Sequence, residues 1–256
     1  MTLFHSFILG VIEGVTEFLP ISSTGHMVLV SHFLHVPENA TLATFEIVVQ
    51  VGAIMAVVVL YFKKLFEMQM IKKLIVAFIP TGVIGLLVFP HIKAWLQNPL
   101  LVAFTMTLGG ICILVIENYY EKNIKENRIL ESASVTYKQA FLLGIYQAIA
   151  VIPGVSRSGA MIIGGPTMKL PRKMLTEFTF LLAVPTMVLA TLYTLLKKRH
   201  ELLFTDIAPI AFGTIVSFAI ALVVINYFLS YIRSHSFKIF GWYRIILGVI
   251  LLCILW

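Results

Sequence analysis

Residues Glu13 to His26 read E-G-V-T-E-F-L-P-I-S-S-T-G-H, and they lie inside an apolar run that extends from Leu3 to Leu34. Carboxylates, hydroxyls and an imidazole are costly in hydrocarbon, and are kept there where they face a cavity or one another. Proline disfavours helical geometry in the residue before it, so no helix passes smoothly through Leu19-Pro20. The stretch predicts a half-helix, a turn and a second short helix. Such a re-entrant hairpin must line a cavity, because non-helical backbone at membrane depth needs protein or water to satisfy it. A second apolar run, Tyr137–Pro166, is broken in the same way by P-G-V-S-R-S-G at Pro153 to Gly159.

The rest of the chain fits a membrane. Of its 256 residues 59% are hydrophobic and 12% charged, outside the soluble globular range. No Pro/Ser/Gly linker divides the apolar runs, so a single domain over 1–256 is expected. Six segments are long enough to span as helices: Thr41–Phe62, Leu74–Phe89, Pro99–Glu117, Met174–Leu196, Ile207–Leu229 and Ile239–Trp256. The predicted fold class is an all-α polytopic membrane protein with six transmembrane helices and two re-entrant hairpins. A net charge of +7 would suggest nucleic acid in a soluble protein; here it is assigned to cytoplasmic loops, and nucleic acid is not an expected partner. Cys112 and Cys253 sit in apolar segments and read as packing residues. A cleavable signal peptide is not expected, because no Lys or Arg precedes the first apolar stretch.

The two broken regions resemble each other. A shift of 134 positions lays Leu9-Gly10 on Leu143-Gly144, Glu13 on Gln147, Ser22 on Ser156, Thr24 on Ser158 and Gly25 on Gly159. Each copy holds a hairpin and three spans, an odd number, so the second copy is expected upside down: inverted repeats over about 1–117 and 137–256. Such repeats place their site at the repeat interface near mid-membrane. Lys and Arg divide 14 to one side and 4 to the other, Arg244 being counted with the 14 and Arg157 being left in the membrane. The positive-inside rule makes the richer side cytoplasmic and puts both termini outside.

Glu13 and Glu17 are four apart and share a helical face. Two carboxylates that close in low dielectric take up a proton or hold a cation, and Mg²⁺ or Ca²⁺ suits hard oxygen ligands beside a phosphate. Ser22, Ser23 and Thr24 follow Pro20, and Gly25 allows close backbone approach. If a helix starts here, its free N–H groups form an anion site, the ordinary alternative being a plain N-cap. His26 lies three residues after Ser23, within reach as its general base. Arg157, between Ser156 and Ser158, cannot lose its charge, so it pairs with a glutamate of the first hairpin, with substrate phosphates, or with each in turn. Glu46 and Glu177 read as packing or supporting residues, Glu177 being the stronger candidate for orienting the second hairpin.

Taken together, these motifs resemble the undecaprenyl-diphosphate phosphatases of the bacitracin-resistance type, over most of the chain. The F-E-I-V-V-Q-V-G-A span and E-F-T-F-L-L-A-V-P from Glu177 to Pro185 add to the likeness. The resemblance implies one active site facing the outer side of the bacterial cytoplasmic membrane, with Glu17, Ser23, His26 and Arg157 catalytic. Glu13, Ser22, Thr24, Gly25, Ser156 and Ser158 would bind the polyprenyl diphosphate, and Glu13 and Glu17 a divalent cation. Surrounding membrane lipid and a second copy, in a homodimer, are the other expected partners. The implied activity recycles the carrier lipid for peptidoglycan synthesis and gives bacitracin resistance. The segment Gly164–Lys173, G-G-P-T-M-K-L-P-R-K, departs from the family pattern. A carrier or flippase for polyprenyl phosphates is the rival reading, since inverted repeats with broken helices are typical of transporters. The acid–serine–histidine set argues against it, because hydrolysis needs that set and transport does not.

Overall fold

Backbone in hydrocarbon must satisfy its own polar groups, and this chain does so with helices. The computed structural model describes all residues but 38, 97, 126–133, 199–205 and 256, and leaves aside the side chains of 40, 89–94, 96, 123, 125, 198 and 255. The helices are α1 (Leu3–Thr16), α2 (Ser23–Phe33), α3 (Ala40–Leu60), α4 (Phe62–Leu65), α5 (Met68–Leu96), α6 (Pro99–Lys125), α7 (Tyr137–Ala148), α8 (Arg157–Thr167), α9 (Arg172–Lys198), α10 (Ile207–Tyr231) and α11 (Lys238–Leu255), with a 3₁₀ turn at Ile149–Val151. No strand occurs among the described residues. Side-chain caps mark several starts: Thr2 with His5 on α1, Asn39 on α3, and Thr136 with Gln139 on α7.

Five helical stretches are long and apolar enough to cross a membrane: Thr41–Leu60, Met68–Val88, Pro99–Lys122, Arg172–Lys197 and Ile207–Tyr231. This makes the chain a multi-pass membrane protein. The second span is longer than the expected Leu74–Phe89, because the helix runs on through Lys72 and Lys73 beyond the apolar stretch. The sixth expected span corresponds to α11, which is not among the five; it has 18 residues and carries Lys238 and Arg244. Its expected end, Trp256, lies outside the described residues, as do Arg128 and Arg199 of the charge count.

Both predicted breaks occur. In the first, α1 ends at Thr16 and α2 starts at Ser23; in the second, α7 ends at Ala148 and α8 starts at Arg157. The chain leaves the helix ahead of each proline, as the restriction on the preceding residues requires. Helix pairing crosses between the halves: α1 packs on α10 and α7 on α5, α3 on α10 and α9 on α5, and α6 on α11. The last pair is close, since a Cβ at Gly110 would lie 2.6 Å from the Gly241 carbonyl oxygen. α3 and α9 run antiparallel, with Lys64 paired to Glu177 near one end and the Thr191 hydroxyl bonded to the Ile47 carbonyl farther along. Charges gather at the Lys64 end, where Arg172 pairs with Glu117 and Lys238 with Glu121. The largest buried apolar cluster centres on Phe18, Phe178 and Phe180, with the Phe18 and Phe180 rings edge to face at 5.0 Å. Large apolar side chains such as Leu86, Leu87, Val115, Ile215 and Val223 point outward, the pattern expected where the solvent is lipid.

Candidate active site

The two turns meet at a cavity of about 170 Å³. Glu17, Ser22, Ser23 and Thr24 line it from the first turn, and Pro153, Gly154, Ser156 and Arg157 from the second. Gln50 of α3 and Met187 of α9 complete the wall together with Ala150, Ile152 and Val155.

Each short helix opens on a serine cap. The Gly25 N–H donates to Ser22 Oγ at 3.3 Å, and the Gly159 N–H donates to Ser156 Oγ at 3.1 Å. Ser22 and Ser156 are thus N-caps, and the first N–H groups of α2 and α8, which have no intrahelical acceptor, begin at the cavity. Ser22 reaches its place with φ 71° and ψ 90°, a left-handed conformation that a non-glycine residue adopts at a cost of about 1–3 kcal/mol. In the second turn Gly154, at φ 83°, needs no side chain: a Cβ there would lie 2.6 Å from the Val102 carbonyl oxygen. The halves are tied directly, as Ser158 Oγ donates to the Leu19 carbonyl at 2.9 Å and pairs with Ser156 Oγ. Ser158 is therefore a buried strut and not a cavity-wall group.

Three functional side chains form one chain of contacts. Ser23 Oγ donates to Glu17 Oε2 at 2.5 Å, and Arg157 Nη2 donates to Glu17 Oε1 at 3.1 Å. Arg157 Nη1 reaches the Thr179 carbonyl at 3.5 Å, while its buried Nε–H has no acceptor. The glutamate–arginine pairing expected across the hairpins is present, and it and the Thr179 contact use two of the five guanidinium N–H groups.

His26 departs from expectation. It makes no hydrogen bond to Ser23: Nδ1 lies 2.8 Å from the Ser22 carbonyl and Nε2 2.7 Å from the Tyr243 hydroxyl. A side chain four residues up a helix turns back on the helix's first carbonyl more readily than on the outward Ser23 hydroxyl. The side chain hydrogen-bonded to Ser23 is Glu17. Gly25 also lies off the cavity wall, against the Met106 sulfur.

Glu13 sits behind Glu17, fully buried and off the cavity wall. Neither of its oxygens has a hydrogen-bond partner beyond the neighbouring Glu17 carboxyl, and the charges acting on it are those of Glu17, Glu46 and Arg157. Glu46, read as a packing residue, belongs electrostatically to this cluster. Glu177, the expected support of the second hairpin, is instead held by Lys64 at 2.5 Å and Lys173 at 3.9 Å. Among the described residues no group of three or more His, Cys, Asp or Glu side chains converges to hold a metal ion. A buried carboxylate beside another must nevertheless be neutralised by a proton or a cation. Two carboxylates completed by substrate phosphate oxygens are a common magnesium arrangement, so Glu13 and Glu17 fit a divalent ion in that mode.

Arg244 corrects the charge count. It is no loop residue but a buried one, its guanidinium donating to the carbonyls of Pro20, Thr105, Met106 and Gly154. Without it the tally on the richer side falls from fourteen to thirteen. The signals for these missed residues were an arginine within the last apolar segment and, for Gln50, an amide within the third-helix span. None of Gly164–Lys173 lines the cavity; Gly165 packs on Leu175 and Arg172 pairs with Glu117. Cys112 and Cys253 are free thiols.

Known proteins resemble this chain over nearly its whole length. The family model described as bacitracin resistance protein BacA matches residues 6–250. A protein of Sulfurihydrogenibium sp. named undecaprenyl-diphosphatase is 46% identical over 251 residues, covering 98% of this chain and 98% of that protein. Proteins of the same name from Aquifex aeolicus and Wolinella succinogenes are each 46% identical over 98% of this chain, covering 97% and 98% of their own lengths.

Proposed function

The chain belongs to the bacitracin resistance protein BacA family, and on that footing we propose a membrane phosphatase that hydrolyses undecaprenyl diphosphate to undecaprenyl phosphate and inorganic phosphate. The observation that carries the reading is the 2.5 Å bond from Ser23 to Glu17, beside Arg157, on the wall of the cavity. Relatives named undecaprenyl-diphosphatase support the substrate class. A carrier needs a phosphate site but no hydroxyl held by a carboxylate, so the Ser23–Glu17 pair favours hydrolysis over transport.

In the proposed reaction Glu17 takes the Ser23 proton as Oγ attacks the terminal phosphorus. The P–O bond to the bridging oxygen breaks, Glu17 hands the proton it took to that oxygen, and the lipid monophosphate leaves, so that Glu17 is again a carboxylate. Water then attacks the phosphoserine, giving up its proton to Glu17 and releasing phosphate, while Ser23 recovers its proton. Arg157, on the cavity wall, offers its guanidinium charge to the phosphoryl oxygens, and the N–H groups at the starts of α2 and α8 add partial positive charge where negative charge builds up. A divalent cation held by Glu13 and Glu17 would further neutralise phosphate charge. Glu17 serves as base because Ser23 is its neighbour, and Arg157 keeps that carboxylate oriented.

For the architecture, the proposal is six spans and two re-entrant hairpins in inverted repeats over about 1–117 and 137–256. The crossed helix pairing and the two serine-capped 11-residue helices support it. The thirteen-to-four charge bias supports a site facing the outer side of the bacterial cytoplasmic membrane. A homodimer remains part of the proposal as an arrangement of whole chains. The test is phosphate release from undecaprenyl diphosphate by the purified protein, with and without EDTA. Release that EDTA suppresses is expected; no release by folded protein under either condition would refute the phosphatase reading.

A further inference from the structure

Tyr243 and Arg244 are adjacent on α11, far in sequence from both motifs, yet both reach the turn that carries Ser23. The link through Tyr243 is indirect. The Ser22 carbonyl 2.8 Å from His26 Nδ1 has no hydrogen to give, so Nδ1 carries the proton and donates. In the neutral ring Nε2 is then an acceptor, and the Tyr243 hydroxyl, 2.7 Å away, donates to it. The two rings lie 4° from parallel. His26 is thus fixed at both nitrogens, and through Nδ1 it holds the carbonyl of the left-handed Ser22.

The link through Arg244 is direct. Nη1 donates to the Pro20 carbonyl at 3.2 Å, Nη2 to Gly154 at 2.9 Å, and Nε to Met106 at 3.2 Å. Thr105 closes the arrangement: its carbonyl accepts from Nη2, and its hydroxyl donates to Pro153 at 2.6 Å. One planar fork thereby joins both turns to α6. Only a guanidinium presents donors in this fixed geometry, and an ammonium could meet few of the same carbonyls at once.

Resting on the phosphatase reading, we infer that Tyr243 and Arg244 are positioning residues for Ser23, so that α11 sets where the nucleophile stands. Arg244 holds the turn at Pro20, and Tyr243 holds it at Ser22 by way of His26. Ser23 is the next residue, and a displacement of about 1 Å at a reacting group costs on the order of 10²-fold in rate.

The experiment uses the full-length protein in detergent, with undecaprenyl diphosphate as substrate. Tyr243→Phe is expected to lower kcat about 10-fold with KM changed less than about twofold, the signature of an interaction felt in the transition state. Its thermal midpoint stays at the wild-type value. Combining Tyr243→Phe with His26→Ala should be no slower than His26→Ala alone, because the tyrosine acts through the histidine. Arg244→Lys is expected to lose about 100-fold in kcat, again with KM little changed. Wild-type kcat in Tyr243→Phe, or multiplied losses in the double variant, overturns the inference. If Arg244→Lys does not fold, Tyr243→Phe alone decides. ¹⁵N spectra of the histidines separate this idea from the phosphatase reading. Tyr243→Phe should remove the hydrogen-bond shift of one imidazole Nε2 whatever the enzyme's activity, and an unchanged spectrum overturns the inference.

Discussion

The two broken hairpins share a frame and differ in what they carry. Each has a helix that stops before a proline, then a serine cap, then an 11-residue helix, and 134 residues separate the matching positions. Where the first has Glu13 the second has Gln147, whose amide donates to Thr81 at 3.1 Å and Thr186 at 3.0 Å. Only the carbonyl oxygen of Gln147 lacks a partner, whereas Glu13 has none beyond the neighbouring Glu17 carboxyl. Where the first has Ser23 the second has Arg157. The frame tolerates a neutral, mostly satisfied side chain at the inner position, so the buried acid at 13 is not required by the fold. In the proposed reaction the first hairpin supplies nucleophile and base, and the second supplies the cation that receives the phosphate.

That division can be broken by exchange. Ser23→Ala should produce the largest effect, a fall in kcat of roughly 10⁴-fold or more with substrate still bound, because nothing replaces the nucleophile. Steady-state kinetics that showed a KM effect instead would move Ser23 to the binding side. Next, Arg157→Lys should lower kcat/KM by about 10³-fold, since a point charge does not reproduce the fork on phosphate. Near-normal turnover in this variant would make Arg157 a structural counter-ion of Glu17.

Smaller effects follow at the inner positions. Glu13→Gln, which copies the second hairpin, should fold normally and lose about 10²-fold in turnover. Its residual activity should no longer respond to EDTA, while wild-type activity should; equal sensitivity in both would remove Glu13 from the cation site. The reciprocal Gln147→Glu should change turnover by less than about threefold but cost about 1–3 kcal/mol of stability, by burying an acid among hydroxyls already committed to Gly144 and Leu182. A large loss of turnover with unchanged thermal midpoint would give the second hairpin a share in the chemistry.

Much of this comparison is legible in the amino-acid order. Pro20 and Pro153-Gly154 announce the breaks, and polar residues inside apolar runs announce where the chain faces a cavity. Local chemistry of that kind is carried by neighbours in sequence. What is not legible depends on partners far along the chain. Arg244 looks like one more basic residue near the end of a segment until its carbonyl acceptors at Pro20, Thr105, Met106 and Gly154 are brought around it. His26 lies close enough to Ser23 in sequence to suggest a dyad, but Tyr243, 217 residues away, claims its outer nitrogen. Glu46 and Glu177 look alike as acids in long spans. Packing sends one towards Glu13 and the other to Lys64, at the charged end of the molecule.

The central claim is that Ser23, activated by Glu17, attacks the phosphorus itself. The stereochemical course at the terminal phosphorus tests it most directly, using undecaprenyl diphosphate made chiral there by sulfur and oxygen isotopes. Each in-line displacement inverts configuration, so attack by Ser23 followed by attack by water predicts overall retention. Inversion would mean a single displacement by water, and would contradict the account.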